Sequence, residues 1–343
     1  MRITFLLPGR GSSGGVRVTS IIANGLLDRR HEVRILFQHA SPRYRASSLA
    51  RLILDRFVSA PDWLGEFRGE VGHFRDVRDC RFREGEIVVG VGMSMSYQLG
   101  FLSAISNPKV QYVHGATPWD PDLMQQALSL PFPKILVASY LKQIVASAGG
   151  GKVLAVVHNG INPTEYFSSL PETERDGVGT IYSGHPAKDP ETICEVLRRC
   201  SASRPDVPTR VFGGDRRPSR LPPCEYVRFP PLDRAREIYS RSLVWVLASG
   251  SEGFPAPVLE AMACGCAVVA TDCGGPSDVI IDGVNGFLVP VGDTQAIVNR
   301  VEHLLEDHKT RQRIRVAALQ TIAQFTWDKC VGDVEKAFGL VLK

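Results

Sequence analysis

Short apolar runs of the kind that become buried strands recur along this chain, each followed by a turn and then by apolar residues at helical spacing. Residues 3–8 form the first run, which ends in Gly9-Arg10-Gly11-Ser12-Ser13-Gly14-Gly15. Residues 16–29 then carry Val18, Ile21, Ile22, Gly25 and Leu26 at helical spacing, and residues 31–37 read as a second strand. Strand, glycine turn, helix and strand make the βαβ unit of a parallel, doubly wound sheet. Further buried strands are expected at 86–91, 110–114 and 134–138. The pattern lapses in the polar, turn-rich stretch 162–179. It restarts with strands at 180–183, 210–213, 243–248 and 267–271, alternating with helices at 190–199, 234–239, 257–263 and 294–306. The expected fold class is α/β: two Rossmann-like, doubly wound domains facing a cleft, at 1–168 and 169–325. An amphipathic helix at 326–343 is expected to pack back toward the first domain.

Composition removes several function classes. A length of 343 residues suits two domains. No run approaches the roughly 18 apolar residues of a membrane span, and Pro8 ends the opening run too early for a secretory segment. Eight Cys without framework spacing read as reduced thiols, so a cytoplasmic location is expected. A dispersed net charge of +4 gives no argument for nucleic acid. The stretch 43–83 is Arg-rich, with Leu49, Leu52, Ile53 and Phe57 on an expected helix that suits an anionic membrane or acceptor. Asp55, Asp62, Glu66, Glu70, Asp76 and Asp79 offset most of that charge, which favours a solvated face over peripheral membrane contact.

Gly9-x-Gly11-x-x-Gly14 matches the dinucleotide-binding turn between a strand and a helix. That motif also wants an acid at the end of the second strand to hold ribose hydroxyls, and Phe37-Gln38-His39 stands there instead. A nicotinamide-dependent oxidoreductase stays as an alternative without its most specific element. A looser reading needs only Gly14 and Gly15, which let an anion approach the amides at the helix start.

The specific signal lies in Ser251-Glu252-Gly253-Phe254-Pro255-Ala256-Pro257-Val258-Leu259-Glu260. Pro255 and Pro257 keep the residues before them out of helical geometry, so no helix runs through Glu252. Pro257 suits the first helical position, which makes Ala256 a cap with no side-chain oxygen. The amides of Val258, Leu259 and Glu260 are then expected to lack an internal acceptor, a vacancy for an anion. Carboxylates beside a phosphate site cannot bond the phosphate. Glu252 and Glu260 suit neutral hydroxyls, such as those of a ribose or a hexose.

At these residues the chain resembles the retaining GT-B glycosyltransferases of glycosyltransferase family four, in the E-x7-E spacing from Glu252 to Glu260. Leu259-Glu260-Ala261-Met262-Ala263-Cys264-Gly265 and Asp282-Gly283-Val284-Asn285-Gly286-Phe287-Leu288-Val289-Pro290 also resemble that family's donor domain. Gly14-Gly15-Val16-Arg17 and Val157-His158-Asn159-Gly160-Ile161 are similar to other family elements. The resemblance implies a retaining transfer from a nucleotide diphosphate sugar, with UDP ahead of GDP or dTDP, to a hydroxyl acceptor that the sequence does not identify. No metal or other cofactor is implied. Glu260 would hold the ribose and Glu252 the donor sugar's hydroxyls. The amides of Gly253, Phe254, Val258 and Leu259 would meet sugar and phosphate. Lys188 would neutralise the diphosphate, Gly14 and Gly15 would close over it, and His114 would lie near the transferred sugar. The loop Ser183-Gly184-His185-Pro186-Ala187-Lys188 departs from the family by carrying His185 where an Arg is usual. A protonated His185, Arg17 or Arg216 are the alternatives for the second cation. A non-catalytic sugar-nucleotide-binding protein also fits an intact donor site.

Other motifs read as structural. Asp120-Pro121-Asp122 matches a metal-binding D-x-D, but Pro121 favours a turn. Cys264-x-Cys266 with Cys273 is too closely spaced for a metal and lacks a His. His73, His303 and His308 have no evident partners.

Overall fold

The computed structural model describes residues 1–11, 13–39 and 62–342. They divide into two compact units, Met1–Gly160 with Trp327–Lys343, and Ile161–Thr326. The expected Arg-rich helix over Leu49, Leu52, Ile53 and Phe57 lies outside the described residues.

In the first unit the order is β1 (Arg2–Leu7), α1 (Gly14–Asp28), β2 (Glu32–Gln38), β3 (Glu70–Phe74), β4 (Ile87–Val91), α2 (Gly92–Gln98), β5 (Lys109–Val113), α3 (Pro121–Leu128), β6 (Lys134–Leu136), α4 (Leu141–Ser147) and β7 (Val153–Val156). The strands pair in parallel in the order β3-β2-β1-β4-β5-β6-β7. Phe5 stands opposite Ile35 on one side and Val89 on the other, and all three are fully buried. Central strands of a parallel sheet are covered on both faces, which is why they read as continuous apolar runs. Edge strand β3 is mostly exposed and polar, and no apolar run marks it.

The second unit runs β8 (Val178–Tyr182), α5 (Pro190–Ser203), β9 (Thr209–Gly213), β10 (Glu225–Arg228), α6 (Leu232–Arg241), β11 (Val244–Leu247), α7 (Ala256–Ala263), β12 (Ala267–Thr271), β13 (Phe287–Val289), α8 (Thr294–Glu306) and α9 (His308–Ile322). Its parallel sheet has the order β10-β9-β8-β11-β12-β13. The ends of this unit meet: Ile161 and Thr326 form a parallel bridge, and the Ile161 amide donates to Phe325 O at 2.9 Å.

The last helix, α10 (Trp327–Gly339), packs in the first unit as its apolar spacing predicts. Phe338 lies 6.1 Å from Phe5, ring to ring. Arg29, the residue that caps the end of α1, pairs with Asp328 at 2.6 Å and Glu335 at 2.7 Å. A Cβ on Gly25 would sit 2.6 Å from Val331, so only glycine lets α1 and α10 approach this closely.

Candidate functional site

In the second sheet, chain order turns back between β8 and β11, which lie side by side. Ligands of open α/β sheets bind outside the carboxyl ends of strands at such a switch point. Two loops emerge there. The loop after β8 forms a 3-10 turn, Pro186–Lys188, and the loop after β11 carries Ser249 to Glu252. The amides of Gly250 and Ser251 both donate to Ala187 O, at 2.9 and 3.0 Å, so the two loops are joined backbone to backbone. The first loop is also held from the loop after β9: Gly184 N donates to Asp215 Oδ2 at 2.8 Å.

This framework brings Lys188 and Glu252 together. Lys188 Nζ lies 2.6 Å from Glu252 Oε1, and Ser249 Oγ donates to the same oxygen at 2.7 Å. Glu252 is 6% exposed. A carboxylate so buried has to be paired and hydrogen-bonded, and here it has both. Its backbone is fixed as well, with Glu252 N donating to Cys273 O and Gly275 N donating to Glu252 O. A Cβ on Gly275 would lie 2.3 Å from Gly253 O, so that loop can be crossed closely only by a glycine. Ser249 was not singled out in the sequence, although it stands three residues before Glu252 at a strand end.

Glu260 is the fifth residue of α7, one turn past its start, and is 8% exposed. Tyr239, fully buried on α6, donates its hydroxyl to Glu260 Oε2 at 2.9 Å. Nothing in the sequence marked Tyr239, which occupies an ordinary apolar position of an amphipathic helix.

The start of α7 differs from the expectation in one respect. Pro255 is the cap, one residue earlier than Ala256, and its side chain makes no bond to the helix start. The Val258 and Leu259 amides are not vacant, because both donate to Pro255 O, at 2.9 and 3.4 Å. The proline turn satisfies these donors with backbone. What the tip offers an anion is its positive dipole end and the preceding Gly253 loop, with Phe254 turned inward against Phe325 at 5.9 Å.

At the other end of α7, Arg175 and Arg315 both donate to Gly265 O, at 2.9 and 2.7 Å, and Arg175 also donates to Cys264 O. Glu172 pairs with Arg311 at 3.0 Å and with Arg315. Cations at a helix C-terminus complement its negative end.

Among the proposed second cations, His185 is engaged as a cap: its Nδ1 accepts from Ala187 N at 3.2 Å, which requires that nitrogen to carry no proton. A protonated His185 would forfeit that bond. Arg17 stacks on Trp63 with its guanidinium 5.1 Å from the ring centre. Arg216 is exposed on the loop after β9.

In the first unit the switch point lies between β1 and β4, and the glycine turn follows β1. Ser13 caps α1 without a side-chain bond, and Gly14 and Gly15 form its first turn. Among the described residues, a Cβ on Gly9, Gly11 or Gly14 would meet nothing within 4 Å, whereas one on Gly15 would lie 3.3 Å from His114 Nδ1. Gly15 and His114, distant in sequence, thus come together. His114 stands edge-on to Tyr112 at 4.5 Å, and its Nε2 is shielded without a partner among the described residues. Burial pushes the imidazole down to about 4, so it is neutral near pH 7.

The motifs set aside have structural roles. Asp120 caps α3 by accepting from Leu123 N at 3.1 Å. Cys266 donates to Tyr239 O at 3.0 Å, and burial raises the Cys264, Cys266 and Cys273 thiols. Among the described residues no group of three or more His, Cys, Asp or Glu is placed to hold a metal. No helix among them is long and apolar enough to cross a membrane.

The family described as glycosyl transferases group 1 matches residues 178–321, which span both switch-point loops, Tyr239 and α7. Residues 178–321 are a glycosyl transferases group 1 domain. The chain is 30% identical over 178 residues to a D-inositol 3-phosphate glycosyltransferase of Jonesia denitrificans, covering 46% of this chain and 42% of that one. It is 26% identical over 199 residues to a phosphatidyl-myo-inositol mannosyltransferase of Mycobacterium leprae, covering 54% and 53%. The chain therefore spans about half the length of these relatives. Among solved structures, Anabaena HepE in complex with UDP superposes with a TM-score of 0.75 at 18% identity, over 99% of this chain and 100% of that one. Sucrose-phosphate synthase from Thermosynechococcus elongatus gives 0.73 at 14% identity, over 99% of both. These likenesses show the fold, two Rossmann-like domains of the GT-B class, the second holding the group 1 domain. None of these relatives is an oxidoreductase, and the dinucleotide alternative gains no support.

Proposed function

We propose that this chain is a retaining glycosyltransferase that moves a sugar from a nucleotide diphosphate sugar, a UDP-sugar first, to a hydroxyl acceptor without a metal. The observation that carries the reading is the Lys188–Glu252–Ser249 cluster at the switch point of a group 1 domain. UDP and UDP-glucose bound to Anabaena HepE support the choice of base. The inositol-linked names of the relatives make a polyol or its phosphate the first acceptors to try.

In this reading the barrier is cleavage of the anomeric C–O bond, with positive charge growing on the sugar and negative charge on the departing diphosphate. Lys188 and the positive end of α7 stabilise the leaving group where it forms. Glu252 accepts from the donor sugar's hydroxyls and Glu260 from those of the ribose. Neither serves as the covalent nucleophile of a retaining glycosidase, because the sugar and ribose contacts place the two carboxylates along the donor instead of on either side of the breaking bond. The acceptor hydroxyl attacks on the face the leaving group vacates and gives its proton to the departing phosphate. In the first unit, neutral His114 is a hydrogen-bonding group for the transferred sugar, and Gly15 keeps its Nδ1 edge uncovered. Gly14 and Arg17 are candidates for an anionic group at the start of α1.

A thermal-shift panel of nucleoside diphosphates and their sugars tests the donor, because a ligand bound only by the folded state raises the melting temperature. No shift from any of them removes the reading. With an active donor–acceptor pair, proton NMR of the product reports the anomeric configuration, and inversion overturns the same-face step. Turnover that survives EDTA supports the absence of a metal, and turnover restored only by a divalent ion overturns it.

A further inference from the structure

The reading above gives Glu260 to the nucleotide ribose, and a carboxylate can select a hydroxyl only if its own orientation is fixed. Glu260 lies on the short helix α7, with a side chain free to rotate about three bonds unless something holds its end. Tyr239 supplies that hold. Its ring is itself immobilised, 4.2 Å from Trp245, 5.5 Å from Phe212 and 6.2 Å from Tyr166. Its main-chain oxygen is held too, by the Cys266 thiol at 3.0 Å. The hydroxyl at the end of this packed ring donates to Glu260 Oε2 at 2.9 Å.

We propose that Tyr239 is a positioning residue that fixes the Glu260 carboxylate so that it distinguishes a ribonucleotide from a deoxyribonucleotide donor. The proposal rests on the assignment of Glu260 to the ribose. A hydrogen bond to a charged group is among the stronger ones, and a site built to bond a hydroxyl discriminates against ligands lacking it. Tyr239 is well suited to the task because burial and the neighbouring Glu260 raise its phenol well above the ordinary value. It therefore stays a donor through the neutral range.

Tyr239→Phe keeps the ring and its packing and removes only the hydroxyl. Binding of UDP and 2′-deoxy-UDP is measured by calorimetry on wild type, Tyr239→Phe and Trp245→Phe, whose fitted stoichiometry reports the folded fraction. Wild type should prefer UDP by about tenfold, and Tyr239→Phe should narrow this to roughly twofold through weaker UDP binding alone. Trp245→Phe disturbs the same ring stack without touching the hydroxyl and should keep the wild-type ratio. With a turnover assay, Tyr239→Phe should raise the donor KM several-fold with kcat little changed. An unchanged ratio in Tyr239→Phe, or an equal loss for both nucleotides, overturns the positioning role while leaving Glu260 on the ribose. Narrowing by Trp245→Phe to the same extent also overturns it, since packing would then be responsible. Equal affinities in wild type remove the Glu260 assignment and this proposal with it.

Discussion

Replacing Glu252 by Gln should make the protein bind UDP more tightly while making it a poorer catalyst. Lys188 is held by Glu252 at 2.6 Å, so a diphosphate that needs the ammonium must compete with the protein's own carboxylate. At that distance the charge pair is worth about 6 kcal/mol at an effective dielectric of about 20 and about 1.6 kcal/mol in bulk water. The lysine side chain is 37% exposed, so screening brings the contribution near the lower figure. Taken as about 1.5 kcal/mol, it corresponds to roughly tenfold in an equilibrium constant. An intact donor compensates by offering sugar hydroxyls to Glu252 while its diphosphate takes Lys188. UDP alone offers nothing to Glu252, and the pair re-forms at its expense. Calorimetric titration of UDP into wild type, Glu252→Gln, Lys188→Ala and the double variant measures the coupling. The expected result is about tenfold tighter UDP binding in Glu252→Gln, abolished when Lys188 is also removed. UDP binding that is equal or weaker in Glu252→Gln would refute the competition, even with the donor site itself intact.

Other outcomes follow from the same structure. His114, held down to about 4 by burial, binds its proton less readily in the folded than in the unfolded chain. Its contribution to stability is complete above pH 6.5 and falls as the pH drops toward 4, by about 2 kcal/mol at pH 5. Urea midpoints at pH 7.5 and pH 5 should show this loss in wild type and a smaller one in His114→Gln. Glu172→Gln leaves Arg311 and Arg315 without their shared carboxylate and should cost about 3 kcal/mol in urea unfolding. A cost below about 0.5 kcal/mol would show that solvent already neutralises the cluster. Gly275→Ala drives a methyl to within 2.3 Å of Gly253 O and should weaken UDP binding together with thermal stability. Gly9→Ala meets nothing within 4 Å among the described residues and should stay within about 0.5 kcal/mol of wild type.

The central strands were legible because burial on both faces writes them as apolar runs, as in β1, β4, β11 and β12. Edge strands β3 and β10 were not, since Glu70, His73, Glu225 and Arg228 stand where a covered strand would be apolar. The proline spacing placed α7 correctly to within a residue, yet it could not reveal that Pro255 O takes up the Val258 and Leu259 amides. Lys188 and Glu252 were each readable from their loops. Their pairing was not, because it depends on two strands distant in sequence lying side by side. Tyr239 was invisible for a different reason: its position on α6 is dictated by packing, and only the last atom of its side chain is polar.

The chain leaves the first unit after Gly160 and returns to it at Trp327. During synthesis the second unit is therefore complete while the first still lacks α10, and Phe5, Gly25 and Arg29 wait for Phe338, Val331 and Glu335. The order of completion on the ribosome reverses the order of the sequence. A chain truncated after residue 326 and released from the ribosome should protect the later-made unit from protease and leave the earlier one open.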